Sequence, residues 1–200
     1  MEHLLYFFNQ SVARVNQLFE REVDSRYEYH NLRHTLDVIK QAEQIGIAEA
    51  IALSDLQLVK IAALYHDTGF SRARKNHEEH SVQLFLEHSS NSSLSDYEKE
   101  QISACILATR VPQSPKTHLE QILCDADLDY LGRSDFFDIG ESLRRELIYA
   151  GEIQPEDSWE EIQIRFLESH QYKTAYAIDL NTKGMEENLK RLRLGLRKQP

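Results

Sequence analysis

The stretch Leu58-Val-Lys-Ile-Ala-Ala-Leu-Tyr-His-Asp67, followed by Thr68-Gly69-Phe70, decides how the rest of the chain is read. Leu58, Ile61, Ala62, Leu64 and Tyr65 recur at three- and four-residue spacing, which predicts a helix with a broad apolar face. His66 and Asp67 stand side by side at its end, and Gly69 is expected to stop it. Burying an imidazole beside a carboxylate is costly unless something satisfies both, and a divalent metal does so. A helix end whose His and Asp face water is the simpler alternative.

Working outward, Ser54-Asp-Leu-Gln57 reads as a capping box that opens this helix. Upstream, Leu4, Leu5, Phe8, Val12, Val15, Leu18 and Phe19 predict an amphipathic first helix within residues 3–24. Tyr27-Glu-Tyr-His-Asn31 then leads into a second helix, Leu32 to Ile45. His30 and His34 share a face if that helix begins by residue 30.

Downstream, Ser71-Arg-Ala-Arg-Lys75 places Arg72, Arg74 and Lys75 just after the His-Asp pair. In a chain with a formal charge of −10, these cations form either a phosphate-attracting rim or a solvated loop. His77-Glu-Glu-His80 opens a helix running through Leu84 to Leu86, with His77 and Glu78 in its first turn. Ser95-Asp-Tyr-Glu98 is a second capping box, for a helix to Thr109-Arg110. Pro112 and Pro115 make the following segment a loop.

Thr117 to Tyr130 carries Leu119, Ile122, Leu123, Ala126 and Leu128, with Asp125, Asp127 and Asp129 among them. Apolar residues flank Asp127 at −4, −5 and +1, so it is expected to face the core, where it needs a partner. Further helices are expected near 135–150, 158–170 and 182–197. Ser158-Trp-Glu-Glu161 caps the second of these, and Leu189, Leu192, Leu194 and Leu196 form a basic amphipathic tail.

Composition sets the class. The 200 residues are 41% hydrophobic and 28% charged, which fits one globular domain, and no linker divides it. No apolar run reaches the roughly 20 residues of a membrane span. Met1-Glu-His-Leu4 carries no basic region, so no signal peptide is expected. Cys105 and Cys124, each in an apolar run, suit reduced, buried thiols in the cytoplasm. The acidic balance speaks against nucleic acid or anionic membrane as partners.

One inward histidine of the second helix, His30 or His34, the His66-Asp67 pair and an inward aspartate make a mixed nitrogen and oxygen set suited to a borderline divalent ion and metal-assisted hydrolysis. The ordered set His34, His66-Asp67, Asp127 resembles the H…HD…D signature of the HD-domain metal-dependent phosphohydrolases. Its flanking text is Tyr29-His-Asn-Leu-Arg-His34-Thr-Leu-Asp-Val38, Leu64-Tyr-His-Asp-Thr-Gly69 and Ala126-Asp-Leu128. The resemblance covers about residues 27–135. It implies an all-α bundle with additional C-terminal helices over 135–197, and His34, His66, Asp67 and Asp127 as ligands of Mn, Mg, Fe, Co or Ni. Asp125 is the fallback ligand.

The Tyr-His-Asn-x-x-His variant is similar to the opening metal motif of cyclic-nucleotide phosphodiesterases. There the first His protonates the leaving oxygen, which assigns that role to His30; a capping or core histidine is the alternative. His77-Glu-Glu-His-Ser81 resembles a recurring His/Glu-rich helix start in HD proteins, which implies His77, with Glu78 beside it, as a contact to substrate or a second metal. A Glu three or four residues after His66-Asp67, used by some nucleotidase and alarmone-hydrolase members, is missing here. The implied function is hydrolysis of a small, nucleotide-like phosphoester. A metal-containing HD module that senses a nucleotide or partner without turnover is the alternative.

Overall fold

The computed structural model describes residues 1–196; position 197, and with it the end of the expected last helix, lies outside them, as does the Leu196 side chain. All regular structure among the described residues is helical, as the composition and periodicity predict. The elements are α1 (Glu2–Glu22), α2 (Leu32–Ala48), α3 (Leu53–Tyr65), α4 (His77–Ser89), α5 (Asp96–Ala108), α6 (His118–Asp127), α7 (Phe136–Tyr149), α8 (Trp159–Ser169) and α9 (Ala175–Leu196). Short 3-10 turns, Thr68–Ser71 and Asp129–Gly132, follow α3 and α6. None of these helices is long and apolar enough to cross a membrane.

Helix α3 is the axis of the larger core. Ile61, Ala62, Ala63, Leu64 and Tyr65 are at most 0% exposed, so the helix is buried on every side near its end. An amphipathic stripe is therefore too narrow a description: α3 is apolar all round because α1, α2, α5 and α6 enclose it. A second, smaller cluster joins Leu131, Phe136, Leu167, Ala177 and Leu192 from the C-terminal helices to Tyr29. The two cysteines are free and buried.

Several boundaries differ from the sequence reading. Ser54 does not cap α3: Ala52 already has the extended conformation that starts it, so the helix begins two residues earlier than a Ser54 cap would place it. Ser95 makes the expected capping box with Glu98, and the Ser158 hydroxyl accepts from the Glu161 N–H. Helix α9 begins at Ala175 instead of near 182. The Thr174 hydroxyl caps it by accepting from the Ala177 N–H, and Gly184 in its interior lets it lie against Gly132, where a Cβ would overlap the Gly132 carbonyl. A glycine that reads as a break in the sequence is thus a point of helix contact.

Candidate metal centre

Each side chain of the predicted ligand set is aimed by its local backbone. Asn31, extended at φ −140°, caps α2: its side-chain oxygen accepts from the N–H groups of Arg33 (2.9 Å) and His34 (3.2 Å). This cap sets His34 in the first turn of α2 and leaves His30 outside the helix, so the two do not share a helical face. Their rings lie 6.1 Å apart through the turn of the cap.

The α3 terminus is held just as closely. Tyr65 is the last helical residue; its carbonyl accepts from the Thr68 hydroxyl at 2.7 Å, and the His66 carbonyl accepts from the Ser81 hydroxyl at 2.6 Å. Ser81, on α4 and fully buried, also accepts from the Gly69 N–H at 2.8 Å. Gly69 therefore does not end the helix in a left-handed conformation. It lies in the 3-10 turn, where a Cβ would collide with the His77 carbonyl and the Ser81 nitrogen.

Four side chains from three segments converge. The Nε2 atoms of His34 and His66 are 3.3 Å apart. Asp127 Oδ1 lies 3.1 Å from His34 Nε2 and 3.4 Å from His66 Nε2, and Asp67 Oδ2 lies 3.4 and 3.1 Å from the same two atoms. Ligand atoms placed about 2.0–2.2 Å from one ion are roughly 3.0–3.5 Å apart, the range seen among His34, His66 and Asp127, which together can hold one ion, with Asp67 beside the two imidazoles.

Two further observations fit a cation. Asp67, only 3% exposed, has an Oδ2 atom with no hydrogen-bond partner, an arrangement that is costly without one. His66 Nδ1 lies 2.8 Å from the Ala63 carbonyl, which can only accept, so the proton sits on Nδ1 and Nε2 presents its lone pair to the centre.

Electrostatics agree. Burial works against charge on His66, but Asp67 and Asp127 outweigh it and raise its pKa well above the usual imidazole range. Burial likewise opposes the charge of Asp127, yet the His34 and His66 imidazoles beside it hold its carboxyl down to about 2. Two carboxylates thus favour positive charge between the imidazoles.

Asp125 is placed elsewhere. Two residues before Asp127, it points about 200° away around α6. It accepts from the N–H groups of Lys173 and Thr174 and from the Thr174 hydroxyl, anchoring the start of α9.

His30 and His77 both pack against Phe70 beside the centre, with ring centroids 4.3 and 4.2 Å from it and 6.1 Å from each other. His77 Nε2 is 3.5 Å from Asp67 Oδ1 and 3.6 Å from the buried Glu78. Burial lowers the His77 pKa against the pull of Asp67 and Glu78. Of the three cations in the following loop, Arg72 is exposed and pairs with Glu87, and Lys75 is exposed. Arg74 turns inward beneath Tyr27 and Phe70 and pairs with Glu146 and Glu152.

Glu146, which the sequence reading did not single out, is the most consequential of the remaining residues. It is fully buried, accepts from the backbone N–H of Tyr29 (3.0 Å) and His30 (2.9 Å), and binds His30 Nδ1 in a very short contact. Its Nδ1 thus engaged, His30 keeps Nε2 for the cavity. Glu146 had one sequence signal: it stands seven residues after Ile139 and three after Leu143, an acid on the apolar stripe of α7. Gln113 was also missed; its amide donates to the Cys124 carbonyl at 3.2 Å and approaches Asp127 Oδ2 at 3.5 Å.

A cavity of about 370 Å³ opens on this centre. His30, Asp67, Arg74, His77 and Glu78 line one end, and Leu131, Phe136, Leu143, Trp159 and Phe166 the other. On the far side, a polar cavity of about 400 Å³ reaches His34 and Asp127 past Arg33 and Arg133. An anionic group therefore fits at one end of the first cavity and an apolar body at the other.

Residues 31–129 match the HD domain family. No curated protein matches the chain. Among solved structures, a protein from Lactobacillus plantarum superposes with a TM-score of 0.67 at 14% identity, over 100% of this chain and 99% of that one. The Lin1889 protein from Listeria innocua gives 0.61 at 15% identity, over 100% and 98%. These likenesses extend the shared fold beyond the matched segment to the C-terminal helices.

Proposed function

We propose that this chain, a member of the HD-domain superfamily, is a divalent-metal-dependent phosphohydrolase acting on a small, nucleotide-like phosphoester. The observation that carries the reading is the convergence of His34, His66, Asp67 and Asp127 around a buried, unpartnered Asp67 oxygen. Those four side chains would hold the ion, which when bound would supply polarisation of a phosphoryl oxygen and a lowered pKa for water.

The chain's own groups do the rest. Arg74 contacts a phosphate oxygen at the polar end of the cavity, with Arg72 and Lys75 contributing longer-range attraction. His77 and Glu78 face the reacting group beside Asp67. His30 donates a proton from Nε2 to the leaving oxygen, and Glu146 keeps the imidazole oriented. The apolar end takes the body of the leaving group, and cyclic nucleotides are the first substrates to try.

The test is a panel of phosphoesters assayed with Mn²⁺, Mg²⁺, Fe²⁺, Co²⁺ and Ni²⁺, alongside elemental analysis of the loaded protein. Turnover that disappears in His34→Asn together with the ion supports the reading. Stoichiometric metal with no turnover of any member overturns hydrolysis in favour of a sensing module.

A further inference from the structure

Two carboxylates share the Arg74 guanidinium, and they are not equivalent. Glu146 accepts from Arg74 Nη1 at 2.5 Å and is fully buried, with three further donors from Tyr29 and His30. Glu152 accepts from Arg74 Nε at 2.5 Å, but its side chain is 51% exposed and Arg74 is its ion-pair partner. Glu152 belongs to the α7–α8 connection, one residue after Gly151, whose left-handed φ of +72° turns the chain toward the cavity mouth. Arg74 and Glu152 both line that mouth.

An anion arriving at Arg74 thus meets a guanidinium already holding two negative charges. Three anions on one cation leave a net repulsion, so one carboxylate must give way. Glu146 is fixed by its other donors, and its withdrawal would strand a buried charge. Glu152 has open water beside it and loses only an exposed ion pair.

We propose that Glu152 is a built-in competitor for the phosphate position on Arg74, displaced by the substrate's anionic group and restored when product phosphate leaves. The inference rests on Arg74 as a phosphate contact and adds to it a specificity-determining carboxylate. Anions too weak to displace Glu152 are excluded. Product phosphate is expelled by the returning side chain, and the α7–α8 connection is held over the cavity only while it is empty.

The experiment measures inorganic phosphate binding to the Mn²⁺-loaded protein by calorimetry, in wild type, Glu152→Gln, Arg74→Gln and the double variant. Glu152→Gln is expected to tighten phosphate about three- to fivefold, the span carried by an exposed ion pair. Arg74→Gln is expected to weaken it, and Glu152→Gln to have no effect in that background. Arg74→Lys, which keeps a cation for Glu146, serves if Arg74→Gln does not fold. Unchanged or weaker binding in Glu152→Gln, while the Arg74 variants lose affinity, overturns the competitor and leaves the phosphate contact standing. Unchanged binding in the Arg74 variants overturns the contact itself, and the competitor with it.

Discussion

Glu146→Gln keeps the shape of a fully buried side chain and removes only its charge. Burial pushes the Glu146 carboxyl up, but the hydrogen bonds from His30 and Arg74 outweigh it and hold the pKa at about 2 against an ordinary 4.5. A drop of that size corresponds to about 3 kcal/mol of stability. Losing the charge-assisted part of two hydrogen bonds gives a similar figure, about 1.5 kcal/mol each. For a chain of this length that lowers Tm by about 6–12 °C. The folded value is depressed, so the stabilisation is complete above pH 4.5 and is lost as pH falls toward 2. Urea melts of metal-free wild type and variant should therefore differ by a constant amount above pH 5 and converge in acid. In metal-loaded protein the variant should keep its ion and lose about 10- to 100-fold in kcat, part of the roughly 10²–10⁴ ascribed to a positioned acid. The loss should fall on alkoxide leaving groups and nearly vanish for p-nitrophenyl esters, which depart without a proton. A stability gap that widens in acid, or equal kcat losses on both ester types, would refute the reasoning.

Asp67→Asn should abolish metal binding by elemental analysis while the far-ultraviolet circular dichroism of the helices persists, because Asp67 packs against ligand atoms and not against the apolar core; full occupancy would rule out the ligand. Ser81→Ala strands the His66 carbonyl and the Gly69 N–H, costing about 1–3 kcal/mol in urea melts and roughly tenfold in metal affinity; an unchanged affinity would separate Ser81 from the centre. Arg72→Gln should raise KM for anionic substrates only slightly and only at low salt, since its guanidinium is paired with Glu87, whereas Arg74→Gln should raise it strongly; equal effects would restore a diffuse basic rim. Loading with the ion at a hundredfold its Kd should stabilise the protein by about 2.7 kcal/mol, a Tm rise of about 5–11 °C that a chelator reverses.

By itself the sequence determined the helical class and marked His66, Asp67 and Asp127 as side chains that need a partner where they are buried. Three- and four-residue periodicity in α1, α3 and α6 and the capping residues Ser95 and Ser158 are local signals. A His-Asp dipeptide ending an apolar helix is equally local. Only the family likeness separated His34 from His30, and the structure supplies the reason: the Asn31 cap puts one inside α2 and the other in the turn before it. Tertiary structure decided which acids matter and what they do. Asp125 and Asp127 are two letters apart, and only the docking of Lys173 and Thr174 onto α6 assigns one to anchor a backbone and the other to face the imidazoles. Glu146 reaches His30 across 116 residues, and Arg74 reaches Glu146 and Glu152 across 72 and 78. Such partners satisfy charges that burial would otherwise penalise, and burial is a property of the packed molecule that no short stretch of chain encodes.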